Sequence, residues 1–272
     1  MAIATSTNFY SNAIVGQPMA GGDINVFDRD TSPRFSVGFG FLRSDGNMFR
    51  YVQYGDAVQA GTVVGNVATN SNLASTGGLV VAPATAVAVN GDPASIRPGA
   101  IGSRFVEIIL ATVAANQFAG GYLAITKDTG VGYTYRVRGN TATDNPATGN
   151  FRMELYEPIK VALDNTTDIA IAASKYSNVY PYVAIEGTQS NVVGVAMTLV
   201  SNNNYGWVCT RGRVGALAKT TNTGIGNVAV VSLTSGSYQQ MVTTTTLAYQ
   251  RIGTIAVKGV DAQMGILDLM LE

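Results

Sequence analysis

The sequence predicts an all-β protein, a β-barrel or β-sandwich with an extended N-terminal arm and long loops. Three observations lead there. Short runs in which apolar residues alternate with small or polar ones recur roughly every ten residues, with no helix of core length between them. Glycine is 31 of 272 residues, and Val, Thr, Ala and Asn are abundant: stiff β-branched side chains for pleated surfaces, and residues that accept positive φ for tight turns. Charged residues are only 12%, too few to coat surface helices, and mean hydropathy is +0.18, which predicts a surface partly covered by partners.

Residues 1–33 lack clean periodicity and carry Pro18, the Gly21 and Gly22 pair and Pro33, which predicts an extended arm. Phe9, Tyr10, Ile14 and Val15 suit a docked arm better than a free tail, and are candidate contacts with a neighbouring protein or subunit. From residue 34 to 272 the chain predicts one β-rich domain, or two β subdomains split near 100 or 180. Residues 35–41 (FSVGFGF) alternate large and small and predict a half-buried strand. Asp45 and Gly46 give the hairpin signal, and 48–52 is the return strand. Residues 66–100 predict a long surface loop with one strand at 85–89. Further strands are expected at 104–113, 122–126, 133–138, 151–156 and 169–172, with a helical turn at 114–117. The last third reads as strands at 191–199, 205–210, 214–218, 228–233, 247–257 and 264–271, with a turn at 202–204.

Composition removes several chemistries. The chain has no histidine, which excludes Ser-His and Cys-His mechanisms and the commonest transition-metal ligand. Its one cysteine, Cys209, has no partner for a disulfide within the chain. Lys+Arg and Asp+Glu are 17 each, so no net charge draws the chain to phosphate backbones or anionic lipid; neither nucleic acid nor membrane is expected as a partner. No P-loop occurs, and the glycines of 130–132 and 224–226 read as turns rather than nucleotide fingerprints. Asp23, Asp28 and Asp30 form an oxygen-rich cluster without calcium-loop spacing; the alternatives are a divalent ion or ion pairs with Arg29 and Arg34. Glu154 with Glu157, and Asp164 with Asp168, are the nearest carboxylate pairs for glycoside hydrolysis, weighed against chance neighbours. Arg136 and Arg138 share one strand face, expected to be the wet one, and Arg211 with Arg213 is the other basic pair. Tyr176, Tyr180 and Tyr182 lie within one short stretch beside Pro181; core and interface are both open to them. No cofactor and no catalytic residue is expected. The first residues have neither a basic start nor an apolar run, so a secretory signal is not expected, and the chain is expected to be made in a host cytoplasm.

Several segments together resemble the small β-rich capsid decoration (head cement) proteins of tailed bacteriophages. They are 44–52 (SDGNMFRYV) with 55–64 (GDAVQAGTVV), 115–123 (ANQFAGGYL) with 130–137 (GVGYTYRV), 157–164 (EPIKVALD), 193–196 (VGVA) with 205–212 (YGWVCTRG), and 251–254 (RIGT) with 265–271 (GILDLML). Their order covers most of the chain from about residue 40. Cys209 departs from the polar residue expected at its place. The resemblance implies a structural virion protein without enzymatic activity that binds the major capsid protein on the head surface and associates with itself, often as a homotrimer. A tail, neck or fibre-base protein, a polysaccharide-degrading virion enzyme and a bacterial adhesin are the competing readings.

Overall fold

A computed structural model of the chain describes residues 24–67, 99–109, 113–143, 149–164, 166–182, 189–219, 224–242 and 249–272, and the backbone of the short strands at 13–15 and 72–74. The described residues contain no helix; the chain is built from curled antiparallel sheets. It divides into two compact units: Met1–Thr69 with Lys175–Glu272, and Asn70–Ser174. The second is thus an insertion in the first. The sequence places breaks near 100 or 180, whereas the units meet at 69/70 and 174/175.

The first unit holds one sheet of twelve strands. Its elements are β1 (Ala13–Val15), β2 (Arg29–Asp30), β3 (Gly40–Leu42), β4 (Met48–Gln53), β5 (Val63–Val67), then, after the insertion, β12 (Val179–Pro181), β13 (Gln189–Ala196), β14 (Tyr205–Leu217), β15 (Val228–Val231), β16 (Tyr238–Gln240), β17 (Arg251–Val257) and β18 (Met264–Met270). The arm joins this sheet: β1 runs parallel to β3, and β2 pairs with the start of β14. The main path is β1-β3-β4-β14-β18-β17-β15-β16. At its far end the sheet curls back, because Ala218 bridges Tyr238 and the Lys219 amide donates to the Tyr238 carbonyl.

The central strands of this unit bury both faces, which explains their unbroken apolar runs. Phe49, Tyr51, Val63, Val192, Val195, Trp207 and Cys209 point into one core, while Val52, Val64, Val193, Ala196 and Val208 point into another. β14 is the spine. Sequence patterning expects two strands, 205–210 and 214–218, but the structure has one of 13 residues. Gly212 lets it continue through a bend: its φ is +96°, and its pairing with β4 shifts register between Cys209 and Arg211. The Asn47 side chain caps that bend, accepting from the Arg213 amide at 2.9 Å and donating to the Arg213 carbonyl at 3.2 Å.

Two other expectations shift for local reasons. The strand expected over 35–41 shrinks to Gly40–Leu42, because the Phe39 amide donates to the Ser36 carbonyl and Gly38 takes φ +87°, turning the chain. The helical turn expected at 114–117 is a tight turn with Asn116 at φ +58°. The 44–47 hairpin forms as expected, with Gly46 at φ +87°. The strand expected at 85–89 lies outside the described residues. β2, β12 and β16 were not expected; at two or three residues they are too short to show a period.

The second unit holds a six-stranded sheet in the order β6-β11-β8-β9-β10-β7. Its strands are β6 (Asn72–Ala74), β7 (Phe105–Ile109), β8 (Tyr122–Lys127), β9 (Thr134–Asn140), β10 (Asn150–Leu155) and β11 (Asp168–Ala172). Every pairing is antiparallel. Inward residues alternate cleanly: Val106 and Ile108, Leu123 and Ile125, Tyr135 and Val137, Phe151, Met153 and Leu155, Ile169 and Ile171.

Candidate functional site

The residues singled out by the sequence fall into three groups. The first is the tyrosine segment. Tyr176 and Tyr182 are buried in the first unit, and Tyr180 is half-buried. Each ring lies where a glycine leaves room: Tyr176 over Gly38, Tyr180 over Gly55 and Tyr182 over Gly65. Burial leaves the rings of Tyr176 and Tyr182 little area to offer a partner. The Tyr176 hydroxyl joins a polar knot on Glu272. The Glu272 carboxylate accepts from Tyr176, from Arg50 Nε at 3.0 Å and from Thr210 Oγ1 at 3.4 Å, with Lys175 Nζ 3.6 Å away. Burial alone would raise this carboxyl; the Tyr176 hydrogen bond and the Arg50 and Lys175 charges outweigh it and hold it below its usual range. The knot ties the last residue to β4 and to the segment that follows the insertion. Sequence reading missed it, since Arg50 and Glu272 are 222 residues apart.

The second group is the carboxylates. Glu154 pairs with Arg138 at 2.8 Å, and Glu157 accepts the Arg136 amide at 3.0 Å. Asp164 accepts from the hydroxyl and amide of Thr166, which hold its carboxyl below the usual range. Asp168 lies 3.8 Å from Lys127. Each therefore has a structural partner. Asp28 and Asp30 both face Arg34, at 3.2 and 3.9 Å, and Asp30 also accepts from the Tyr51 hydroxyl at 2.6 Å. The aspartates thus meet an arginine and a tyrosine, which is the ion-pair alternative for that cluster; Asp23 lies outside the described residues. Among the described residues no three candidate ligands converge as a metal site would require.

The third group is aromatic and basic. Trp207 is fully buried and ringed by Phe35, Phe39, Phe41 and Tyr51, with centroids 5.3–6.2 Å away. Cys209, on the same strand, is buried, and burial pushes its thiol up to about 12, so it stays protonated and unreactive at neutral pH. Arg136 and Arg138 do share the outward face of β9: Arg136 lies over the Tyr156 ring, and Arg138 pairs with Glu154. Of the arm candidates, Phe9 and Tyr10 lie outside the described residues. Ile14 and Val15 sit on β1, opposite Phe41 and Leu42.

The arrangement offers rigid sheet faces and a sheet edge to which the arm adds a strand. These are the elements of recognition by surface. No protein-family model matches the chain, and no curated protein or solved structure is similar to it.

Proposed function

We propose that the chain is a structural virion protein of a tailed bacteriophage that binds the outer surface of the capsid and stabilises the shell by bridging adjacent major capsid subunits. It acts by adhesion, without cofactor or turnover. The observation that carries this reading is the ordered set of segments resembling head cement proteins, from residue 44 to 271. Three of its five groups fall on strands of the first unit that are consecutive along the chain: β4 and β5, β13 and β14, β17 and β18. The partnered carboxylates support it from the other side, because each has a structural use that needs no substrate.

The physics of a shell fits such a chain. One modest contact is multiplied by the symmetry of the lattice. A protein that binds the assembled lattice and not its free subunits stabilises the lattice by mass action. The arm, already a strand donor to β3, is the segment we assign to clamping a neighbour; a chain lacking residues 1–30 is expected to decorate heads at reduced occupancy.

The test is to mix the purified chain with undecorated heads and image the particles. Ordered density over the whole head lattice is expected, with light scattering of the free chain giving a homotrimer. Density confined to a tail, neck or fibre base would replace this reading with a tail protein. Cleavage of capsular polysaccharide that disappears in Glu154→Gln or Glu157→Gln would replace it with an enzyme.

A further inference from the structure

The outer face of β14, β18 and β17 departs from what a wet sheet face should carry. Register sets its rows. Leu217 stands opposite Met264, Gly215 opposite Ile266 with Val257 beyond, Arg213 opposite Asp268 with Thr254 beyond, and Arg211 opposite Met270. The inward positions between them, Val214, Ala216, Leu267 and Leu269, fill the core, so the alternation is intact and the outward residues are outward by register. On that outward side Met264 is 50% exposed, Ile266 39%, Val257 47% and Met270 72%. Gly215 puts no side chain on this row; a Cβ there would meet only the Gly265 carbonyl oxygen, at 3.9 Å, and the Met264 side chain beside it lies over Gly61.

This composition is that of an interface core. Met and Arg are enriched in such cores, whereas Lys and Glu are depleted. The strip has two ends: an apolar shelf of Leu217, Met264, Ile266 and Val257, and a basic end of Arg211 and Arg213. The one acid, Asp268, is already paired with Arg213 at 2.9 Å. Arg211 has no carboxylate within ion-pair distance among the described residues. Resting on the function proposed above, we propose that this face is the seat of the capsid subunit: it docks a protein surface that sets an apolar ridge beside an unpaired carboxylate, the carboxylate meeting Arg211.

Charge decides against this face pairing with its own image across a two-fold axis. Two copies related by a two-fold axis along the strands would stack Arg211 and Arg213 on their own images. With the axis across the strands, each basic end would be pressed onto the other's apolar shelf. Both arrangements bury the unpaired Arg211 guanidinium, whereas a partner bearing an acid completes the strip.

The experiment uses the full chain and undecorated heads. Ile266→Lys and Arg211→Glu are each expected to lower the number of bound copies at least about tenfold, while Ile266→Val binds as the unaltered chain does. Circular dichroism and melting temperature, expected within about 2 °C of the parent, show that the fold is intact. Arg211→Glu, a change of an exposed side chain, keeps the test open if Ile266→Lys does not fold. If the parent decorates heads and both variants decorate equally, this face is not the seat, although the chain remains a decoration protein. If the parent itself leaves heads bare, the capsid occupant falls together with the proposed function. If either variant turns a homo-oligomer into a monomer in light scattering, a second copy covers the face and the proposal is overturned.

Discussion

Each unit leaves part of a sheet face in water, and the two units finish that face in different ways. In the inserted unit, Asn70–Ser174, the outward face carries three ion pairs between neighbouring strands, and its remaining β9 arginine, Arg136, lies over the Tyr156 ring. Arg152 on β10 meets Glu107 on β7 at 3.2 Å, Arg138 on β9 meets Glu154 on β10 at 2.8 Å, and Lys127 on β8 meets Asp168 on β11 at 3.8 Å. In the first unit the outer face of β14, β18 and β17 has one such pair, Arg213 with Asp268, and is otherwise apolar or unpaired. Cross-strand charge pairs are worth only a fraction of a kcal/mol each. They do, however, finish a surface: a face whose charges already have partners gives another protein little to complete. The difference teaches where each unit spends its polar residues: three cross-strand ion pairs on the inserted unit's face, one on the face of β14, β18 and β17.

The cores differ too, and the largest predicted effects come from them. The first unit packs around aromatic rings, the second around aliphatic side chains with Phe118, Tyr135 and Phe151. Trp207 is the only tryptophan, so its fluorescence reports the first unit alone. Trp207→Ala is expected to destabilise that unit by about 3–5 kcal/mol, read by circular dichroism in urea. Leu123→Ala, fully buried in the second unit, is expected to cost that unit about 2–5 kcal/mol while leaving the midpoint of the tryptophan transition in place. A shift of that midpoint equal to the circular dichroism shift would break the comparison, because it would make the two units one cooperative body.

How much of this was legible follows the same divide. The inserted unit reads well: residues 122–126, 133–138, 151–156 and 169–172 alternate because one face is wet, and the structure has strands at each. The first unit reads less well. Runs such as Val63 with Val64, or Trp207 to Cys209, are apolar on both faces, and continuous runs carry no period. The fusion of two expected strands into β14 was hidden because Gly212 looks like a breaker and is a bend. The tyrosine segment showed its chemistry but not its place; the glycines that seat the three rings lie more than 100 residues away in sequence. The Glu272 knot and the outer face of β14, β18 and β17 depend on pairings between distant strands, which no local pattern encodes.

Intermediate effects sharpen the contrast in polar groups. Glu107→Ala strips the partner from Arg152, whose side chain is only 19% exposed; a loss of about 1–3 kcal/mol is expected in the second unit, measured in urea by circular dichroism. In the first unit, Glu272→Gln removes the charge of the polar knot and turns one of its two accepting oxygens into an NH2 donor, and is expected to cost about 1 kcal/mol at pH 7. Its sign with pH is set by the lowered carboxyl. The native state binds the proton less readily than the unfolded chain, whose reference value is 4.5. The stabilisation is therefore complete above that value and is lost as pH falls through the native pKa. The gap between parent and Glu272→Gln should stay constant from pH 7 to about 5 and close in stronger acid; a gap that persists unchanged in acid would remove the ionised carboxylate from the account.

The smallest predicted effect tests the outer face of β14, β18 and β17 most directly. Ile266 is a large apolar residue on the sheet of a core strand, flanked by Gly265 and Leu267, and a reader of the sequence alone would place it inside. If it served the fold, Ile266→Thr, which keeps the β-branch, would cost more than about 1 kcal/mol, since Ile-to-smaller changes in cores do so. By register it faces out, opposite Gly215 and Val257. Its substitution is therefore expected to move the stability of the first unit by less than about 0.5 kcal/mol, read by the tryptophan transition. A residue that is apolar, ordered by its strand and dispensable to folding has its apolar surface available for a partner. A large loss of stability would instead return Ile266 to the core and leave the two units alike.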